Sequence, residues 1–143
     1  MTRIEQFFAR YEKGANNFDP ALIRSQFAQC FMMADPNGAQ CGQNDERFAA
    51  AIPQRQALFR QIGFQSARVL DIDETPLDGN YTMAKVHWHL VFDKDGKLLD
   101  FRFYCTYILY DAGGGPKVVF YLSHEDEQKV MGEAGLLPAE AAG

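Results

Sequence analysis

The sequence predicts an α+β fold in which N-terminal helices pack on one curved, antiparallel (mixed) β-sheet. Up to Gly63, apolar residues recur at steps of three and four, as they do along one face of a helix. From Ser66 onward they alternate with polar residues, as they do on strands that bury one face. The 143 residues fit a single domain, 1–143, and no internal repeat or linker interrupts them.

Two helices are predicted at the N-terminus. From Ile4 to Ala15, apolar residues recur at steps of three and four, which places Tyr11 on the inward face of a first helix that ends around 14–17. Asp19 followed by Pro20 then predicts an N-cap with proline at the first helical position. A second, shorter helix therefore begins at this point.

A short strand and a third helical segment follow. Residues 30–34 are predicted to be a strand, and 35–38 (Asp-Pro-Asn-Gly) have the chemistry of a turn. Asn44 is the predicted cap of a third helix, closed by Gly63. Proline removes a helical hydrogen bond, so this segment either kinks at Pro53 or ends a short turn there and restarts as the main helix.

A four-stranded meander is predicted for the second half of the chain. Its strands are 67–73, 81–92, 99–110 and 117–124, separated by glycine-containing turns. The tail after Glu133, rich in Ala and Gly, is predicted to fray.

The register of these strands predicts which side chains face inward. A two-residue turn at 95–96 pairs Lys94 with Lys97, which places Trp88, Phe103 and their same-face neighbours on an apolar inner surface. Extending the register with Tyr110 opposite Lys117 puts three further side chains on that surface. They are Phe120, Leu122 and His124.

Composition argues against several classes of partner. The net charge is −5, from 14 basic and 19 acidic residues, and the basic residues are scattered, so nucleic acid is not expected. No apolar stretch approaches the ~20 residues of a membrane helix, and the first residues lack the apolar core of a signal peptide. Three cysteines without metal-site or redox spacing fit a reducing compartment. We therefore expect a cytoplasmic protein with no membrane partner.

Three N-terminal helices, a short strand pair and a long curved antiparallel meander resemble the nuclear transport factor 2-like superfamily, which includes ketosteroid isomerase and the SnoaL-like polyketide cyclases. The resemblance covers nearly the whole chain, and its most specific stretch runs from Tyr11 to Gly38. Tyr11, Phe27 and the Asp35-Pro36 pair fall at the spacing of ketosteroid isomerase without a gap. The resemblance implies a cone-shaped, cystatin-like roll, with Asp35 as proton-shuttling base and Tyr11 as oxyanion-hole donor. The chain departs from the pattern near Cys105 or Thr106, where the family has a protonated aspartic acid.

Three catalytic candidates follow, each with a structural alternative. Asp35 is the candidate base, or a turn-forming residue before proline. Tyr11 is the candidate oxyanion donor, or a packed residue on an apolar helix face. His124 is a candidate acid or base at the cavity mouth, or marks the end of the last strand.

A largely aromatic cavity between helices and sheet is expected to hold a flat hydrophobic small molecule. Arg55 within it either binds a ligand carboxylate or extends its charge to solvent. No cofactor and no metal are expected, because His87 and His89 lack a third ligand. The predicted ligand-binding residues are Phe31, Phe48, Ile52, Arg55, Phe59, Trp88, Phe103, Cys105, Tyr107 and Phe120.

The sequence supports two functional hypotheses. One is a cofactor-independent isomerase, cyclase or dehydratase, with Asp35 abstracting a carbon-bound proton and Tyr11 stabilising the enolate. The other is a binding module in which the same cavity holds a metabolite without chemistry. A third interpretation, compatible with either of these, treats the domain as a dimerisation module. In it a homodimer forms through the outer sheet face, with Tyr104, Ile108, Val119 and Tyr121 as contact residues.

Overall fold

The computed structural model describes residues 1–136, which form helices packed against a six-stranded sheet. The helices are α1 (Arg3–Asn17), α2 (Pro20–Ser25), α3 (Glu46–Gln61) and α4 (Glu127–Glu133). The strands are β1 (Phe27–Asp35), β2 (Gly38–Gln43), β3 (Phe64–Pro76), β4 (Tyr81–Lys94), β5 (Lys97–Tyr110) and β6 (Lys117–Ser123). The sheet order is β2-β1-β6-β5-β4-β3, and every neighbouring pair is antiparallel except β1 and β6. The predicted α+β fold with a mixed sheet is confirmed.

Short-range chemistry explains where the helices begin. Thr2 and Glu5 form a capping box at the start of α1, and Asp19 accepts hydrogen bonds from the first turn of α2. The predicted cap of α3 was wrong by one residue, because Asp45 is the N-cap. Asn44 instead donates to the carbonyls of residues 24 and 27, so its side chain ties α2 to β1.

Helix α3 runs from Glu46 to Gln61 with Pro53 inside it, so the proline does not start a separate helix. Gly63 follows the helix with φ +89, a left-handed conformation that suits glycine. Here the chain passes very close to β4, and the Asp93 amide donates to the Gly63 carbonyl at 2.7 Å. A Cβ on Gly63 would lie 2.0 Å from the Asp93 carbonyl oxygen.

The register of the central hairpin is confirmed. Lys94 pairs with Lys97 across the turn, and Trp88 lies opposite Phe103. The inward residues of β4 and β5 are buried, including Phe92, as the period-two pattern predicts.

The predicted register between β5 and β6 was wrong beyond its first two pairs. Tyr110 does lie opposite Lys117, but a β-bulge then leaves Val119 unpaired and shifts the remaining pairs by one residue. Because side chains alternate across a strand, the shift reverses the faces of the rest of β6. Tyr121 therefore lies on the inner face, opposite Tyr107, and Phe120 on the outer face, opposite Ile108. Tyr121 is removed from the predicted dimer surface.

The core sits where α1 crosses the inner face of the sheet. Phe7 and Phe8 are almost completely buried, and the Phe8 ring lies 4.9 Å from that of Tyr107. Within residues 1–136, no helix is long and apolar enough to cross a membrane. Of the tail after Glu133, the structure describes only 134–136, where Leu136 is buried; the rest of that prediction lies outside the described residues.

The close approach at Gly63 makes a testable prediction. Gly63→Ala and Gly96→Ala both place a side chain at a left-handed φ, which costs about 1–2 kcal/mol. Nothing lies within 4 Å of a Cβ at Gly96, whereas the one at Gly63 meets the Asp93 backbone. We expect Gly63→Ala to lose about 2 kcal/mol more unfolding free energy than Gly96→Ala in urea titrations. Equal losses would contradict the proposed backbone contact.

Candidate functional site

A cavity of about 280 Å³ lies between the helices and the inner face of the sheet. All four helices or their ends contribute to its wall, together with β1 and the β3–β6 strands. Its lining residues are Tyr11, Ala15, Phe18, Ile23, Gln26, Phe27, Met33, Phe48, Ile52, Arg55, Phe59, Phe64, Ala67, Trp88, Leu90, Cys105, Tyr107, Tyr121 and Glu127. The wall is mostly aromatic and aliphatic with a few polar groups, the usual composition of a small-molecule site.

Tyr11 and Tyr107 bring two phenols together at this cavity. Their rings meet edge to face with centroids 5.4 Å apart, and the Trp88 ring lies 5.9 Å from Tyr11. The indole N–H of Trp88 donates to the Tyr107 hydroxyl oxygen at 3.1 Å. Because that oxygen accepts the indole N–H, the Tyr107 proton is directed to another partner, and Tyr11 is the neighbour that hydrogen-bonds with it.

Burial keeps these phenols protonated. It raises the pKa of Tyr11 above its ordinary value of 10.0, while hydrogen bonding with Tyr107 offsets part of the increase. It also raises the pKa of Tyr107, and the neighbouring Tyr11 adds to that effect. For Tyr121, burial is the main cause of the raised pKa, and the nearby Glu127 carboxylate raises it further. All three side chains are therefore hydrogen-bond donors at neutral pH.

Glu127, in the first turn of α4, supplies the carboxylate of the cavity wall. Its side chain is 22% exposed, and its Oε2 lies 3.9 Å from Nη2 of Arg55 on α3. Burial raises the pKa of Glu127 above 4.5, Arg55 lowers it in part, and the charges of Asp126 and Asp35 raise it further. Raising the pKa of a carboxylate makes it a stronger base.

An outer depression of about 530 Å³ adjoins the cavity. It shares Met33, Arg55, Tyr121 and Glu127 with the cavity wall, so these residues mark the boundary between the two spaces. Asp35 lines only the outer depression and is exposed.

Asp35 lies at the end of β1, where its carboxylate accepts the backbone N–H of Asn37 at 2.8 Å. The Asp35 side chain lines the outer depression and is not among the residues of the cavity wall that carries the phenols. Asn37 also donates to Asp126 at 2.7 Å, tying this turn to the N-terminus of α4. The position of Asp35 matches its structural alternative, a turn-forming residue.

Several predicted site residues do meet at one cavity. Its wall includes the predicted residues Tyr11, Phe48, Ile52, Arg55, Phe59, Trp88, Cys105 and Tyr107. Arg55 is both a wall residue and partly solvated, since its side chain is 56% exposed and its guanidinium lies over the Phe59 ring at 4.3 Å.

Three of the predicted ligand-binding residues lie elsewhere. Phe31 packs behind the wall against Phe27 and Phe48, and Phe103 is buried in a stack with Phe101. The inward placement of Phe120 was wrong because of the bulge in β6.

The inward placement of His124 was wrong for the same reason. Its side chain is exposed, and its Nε2 lies 2.7 Å from the hydroxyl of Thr106 on the outer face. His124 is therefore not one of the residues that line the cavity.

Three polar wall residues were missed by sequence reasoning. Glu127 had a detectable signal, because Asp126 is a good N-cap residue and Val130 and Met131 follow at helical spacing. Tyr121 was assigned to the wrong face because nothing in the sequence marks the bulge. Gln26 follows a predicted short helix, and a polar residue there gives no sign of burial.

The histidines of β4 lie on the outer face. His87 stacks on Tyr104 with centroids 4.2 Å apart, and His89 pairs with Asp100 at 3.0 Å. Among residues 1–136, no group of three or more His, Cys, Asp or Glu side chains is arranged to hold a metal ion.

Cys105 gives a chemical test of the wall. Burial raises the pKa of its thiol to about 12, so it reacts poorly near neutrality, whereas Cys30 and Cys41 are exposed. We expect dithiobis(nitrobenzoate) to modify two thiols rapidly in the native protein and the third only after unfolding. Cys105→Ala should remove only the thiol that unfolding exposes. Three fast thiols in the wild-type protein would contradict this placement.

Known structures with the same fold are similar to this chain at low sequence identity. An NTF2-like protein of unknown function from Shewanella oneidensis MR-1 has a TM-score of 0.67 at 16% identity, covering 86% of this chain and 97% of that chain. An NTF2-like protein with a cystatin-like fold from Novosphingobium aromaticivorans has a TM-score of 0.71 at 16% identity, with 95% and 87% covered. Aln2 from a Streptomyces species has a TM-score of 0.70 at 16% identity, with 91% and 93% covered.

Sequence comparison identifies the family. No curated protein gives a significant match to the chain. The family profile described as NTF2-like protein (DUF6841) matches residues 2–126, which is most of the sequence. The cavity, the six-stranded mixed sheet and this match agree, and the chain belongs to the NTF2-like protein family DUF6841.

Proposed function

We propose that the protein binds a compact apolar ketone in its cavity and moves a proton on the carbon next to the carbonyl. The observation that carries this proposal is a half-buried carboxylate with a raised pKa, Glu127, on the same apolar wall as the phenols of Tyr11 and Tyr107. A base and donors that share a water-poor cavity are the minimum set for enolisation.

Each residue has one role in this reaction. The Glu127 carboxylate takes the carbon-bound proton. The electron pair of that C–H bond forms a C=C bond to the carbonyl carbon, and the π pair of the C=O bond moves onto the oxygen. Tyr11 and Tyr107 donate hydrogen bonds to the resulting enolate oxygen, and Trp88 fixes Tyr107 through its indole N–H. Return of the proton to another carbon gives an isomerase, and the same enolate is the starting point of a cyclase or dehydratase.

This proposal moves the base from Asp35 to Glu127. Asp35 is exposed and its carboxylate holds the β1–β2 turn, whereas Glu127 is a wall residue of the cavity. The reaction class stays a cofactor-independent isomerase, cyclase or dehydratase, and only the element that supplies the carboxylate changes.

A second candidate function is ligand binding without chemistry. It is favoured by Cys105, which occupies the wall near the position where the resemblance implies a protonated aspartic acid. A thiol with a pKa of about 12 is a weak donor. A wild-type protein that binds apolar ketones but leaves them unchanged would support this function. The homodimer through the outer face stays a prediction in both cases, with Tyr104 and Ile108 still on that face.

Deuterium exchange into α-tetralone, a small bicyclic ketone, tests the proposed base. In heavy water we expect the wild-type protein to catalyse hydrogen–deuterium exchange at the carbon next to the carbonyl. Mass spectrometry measures the deuterium taken up by the ketone. Glu127→Gln should lower the rate by about 10²–10⁴, and Tyr11→Phe by about 10²–10³. Asp35→Asn keeps an acceptor for the turn and should retain the rate. Loss of exchange in Asp35→Asn with retention in Glu127→Gln would return the role of base to Asp35.

The raised pKa of Glu127 also predicts a pH-dependent effect on stability. Because the folded pKa lies above the unfolded value, this group lowers stability as pH rises from below 4.5 through the folded pKa. Glu127→Gln should therefore stabilise the protein at neutral pH, and the gain should vanish below about pH 4. Urea unfolding at both pH values measures it, with the exposed Glu133→Gln of the same helix as control. Destabilisation at neutral pH would mean that the Arg55 contact outweighs burial.

A further inference from the structure

Gln26 is fixed at the point where α2 ends and β1 begins. Its backbone N–H donates to the Ile23 carbonyl at 3.1 Å, and its carbonyl accepts the Val118 N–H at 2.9 Å. Both backbone groups are therefore satisfied, and they hold the residue against β6. The residue is only 4% exposed, so its side chain is held inside the molecule.

Unlike the two backbone groups, the side-chain amide nitrogen of Gln26 has no hydrogen-bond partner among residues 1–136. Gln26 belongs to the cavity wall, and within residues 1–136 nothing accepts a hydrogen bond from its buried Nε2. Ile23 and Phe27, on the same wall, offer no polar atom from their side chains. Leaving a buried amide N–H unpaired is unfavourable, whereas leucine or methionine would fill the same space without that cost.

The position of this amide suggests a role in recognising the cavity's occupant. A buried donor that the protein leaves unpaired can be satisfied by an acceptor on a bound molecule. Tyr11 and Tyr107, the phenols assigned to the ketone oxygen, lie beside the Trp88–Tyr107 hydrogen bond, which does not involve Gln26. A ligand that satisfies both sets of donors needs two acceptor groups.

We infer that Gln26 donates a hydrogen bond to a second acceptor oxygen on the ligand, distinct from its carbonyl oxygen. This inference rests on the proposed function, because the first acceptor is the carbonyl held by Tyr11 and Tyr107. The substrate class is then a compact apolar ketone that also carries an ether, hydroxyl or second carbonyl oxygen. The cavity of about 280 Å³ is near the ~300 Å³ lower end of ligand pockets, which restricts the apolar body to a small ring system.

Calorimetric binding of matched probes tests this inference. α-Tetralone has one acceptor, and methoxy-tetralones with the ether at each position of the aromatic ring add a second. The wild-type protein should bind at least one methoxy-tetralone about tenfold more tightly than α-tetralone. Gln26→Leu should lose this preference and bind the methoxy-tetralones and α-tetralone with similar affinity.

Thermal unfolding without ligand provides a second measurement. Gln26→Leu removes an unpaired amide, so its melting temperature should rise above that of the wild type. Gln54→Leu, on the exposed surface of α3, is the matched control and should keep both the preference and the binding of α-tetralone. A fall in the melting temperature of Gln26→Leu would mean that the amide has a structural partner.

Two other results would overturn the inference. In the first, Gln26→Leu keeps the preference for a methoxy-tetralone. In the second, the wild-type protein shows no preference, either because it binds every probe equally or because it binds none. Failure of the proposed chemistry is separate, because binding is measured without turnover. A wild type that prefers a methoxy-tetralone but exchanges no deuterium would reject the chemistry and leave the role of Gln26 intact.

Discussion

The packing of one helix against the inner face of the sheet determines both the core and the cavity. Phe7 and Phe8 of α1 are almost fully buried, and each such side chain contributes about 1.5–3 kcal/mol by leaving water. Tyr11 follows one turn after these anchors, so its ring is directed to Tyr107 and Trp88 beneath the same helix. The phenol at the cavity is therefore positioned by the burial of its neighbours.

Where local chemistry fixes a register, the sequence was sufficient to predict it. The two-residue turn at 95–96 determines how β4 pairs with β5, and the alternation of apolar residues then decides which side chains are buried. Trp88, Cys105 and Tyr107 were placed on the inner face for that reason, and they are wall residues of the cavity. The same holds for Tyr11, whose helix has a strong apolar period and a capping box at Thr2.

Where a register depends on tertiary packing, the sequence was insufficient. Val119 is one of two adjacent valines, and nothing in that pair indicates that one of them is left unpaired in a bulge. The consequence is large, because one extra residue brings Tyr121 to the cavity and takes Phe120 and His124 away from it. Asp35 illustrates a different limit. The Asp-Pro-Asn-Gly pattern predicted the turn correctly, but tertiary packing, and not the turn itself, decides that the Asp35 side chain lines the outer depression and not the cavity.

The chemistry proposed for the cavity depends on the surroundings of a carboxylate more than on the strand or helix that carries it. Glu127 reaches the wall from α4, a helix whose N-cap, Asp126, is tied by Asn37 to the same turn that holds Asp35. Burial favours the protonated form of Glu127, and Arg55 at 3.9 Å favours the ionised form. Because burial is the larger effect, the carboxylate is more basic than an exposed one, and Arg55 prevents the shift from becoming larger. A ligand that excludes water from the boundary between the cavity and the outer depression would deepen the burial of Glu127, so its binding and the basicity of the carboxylate are physically coupled.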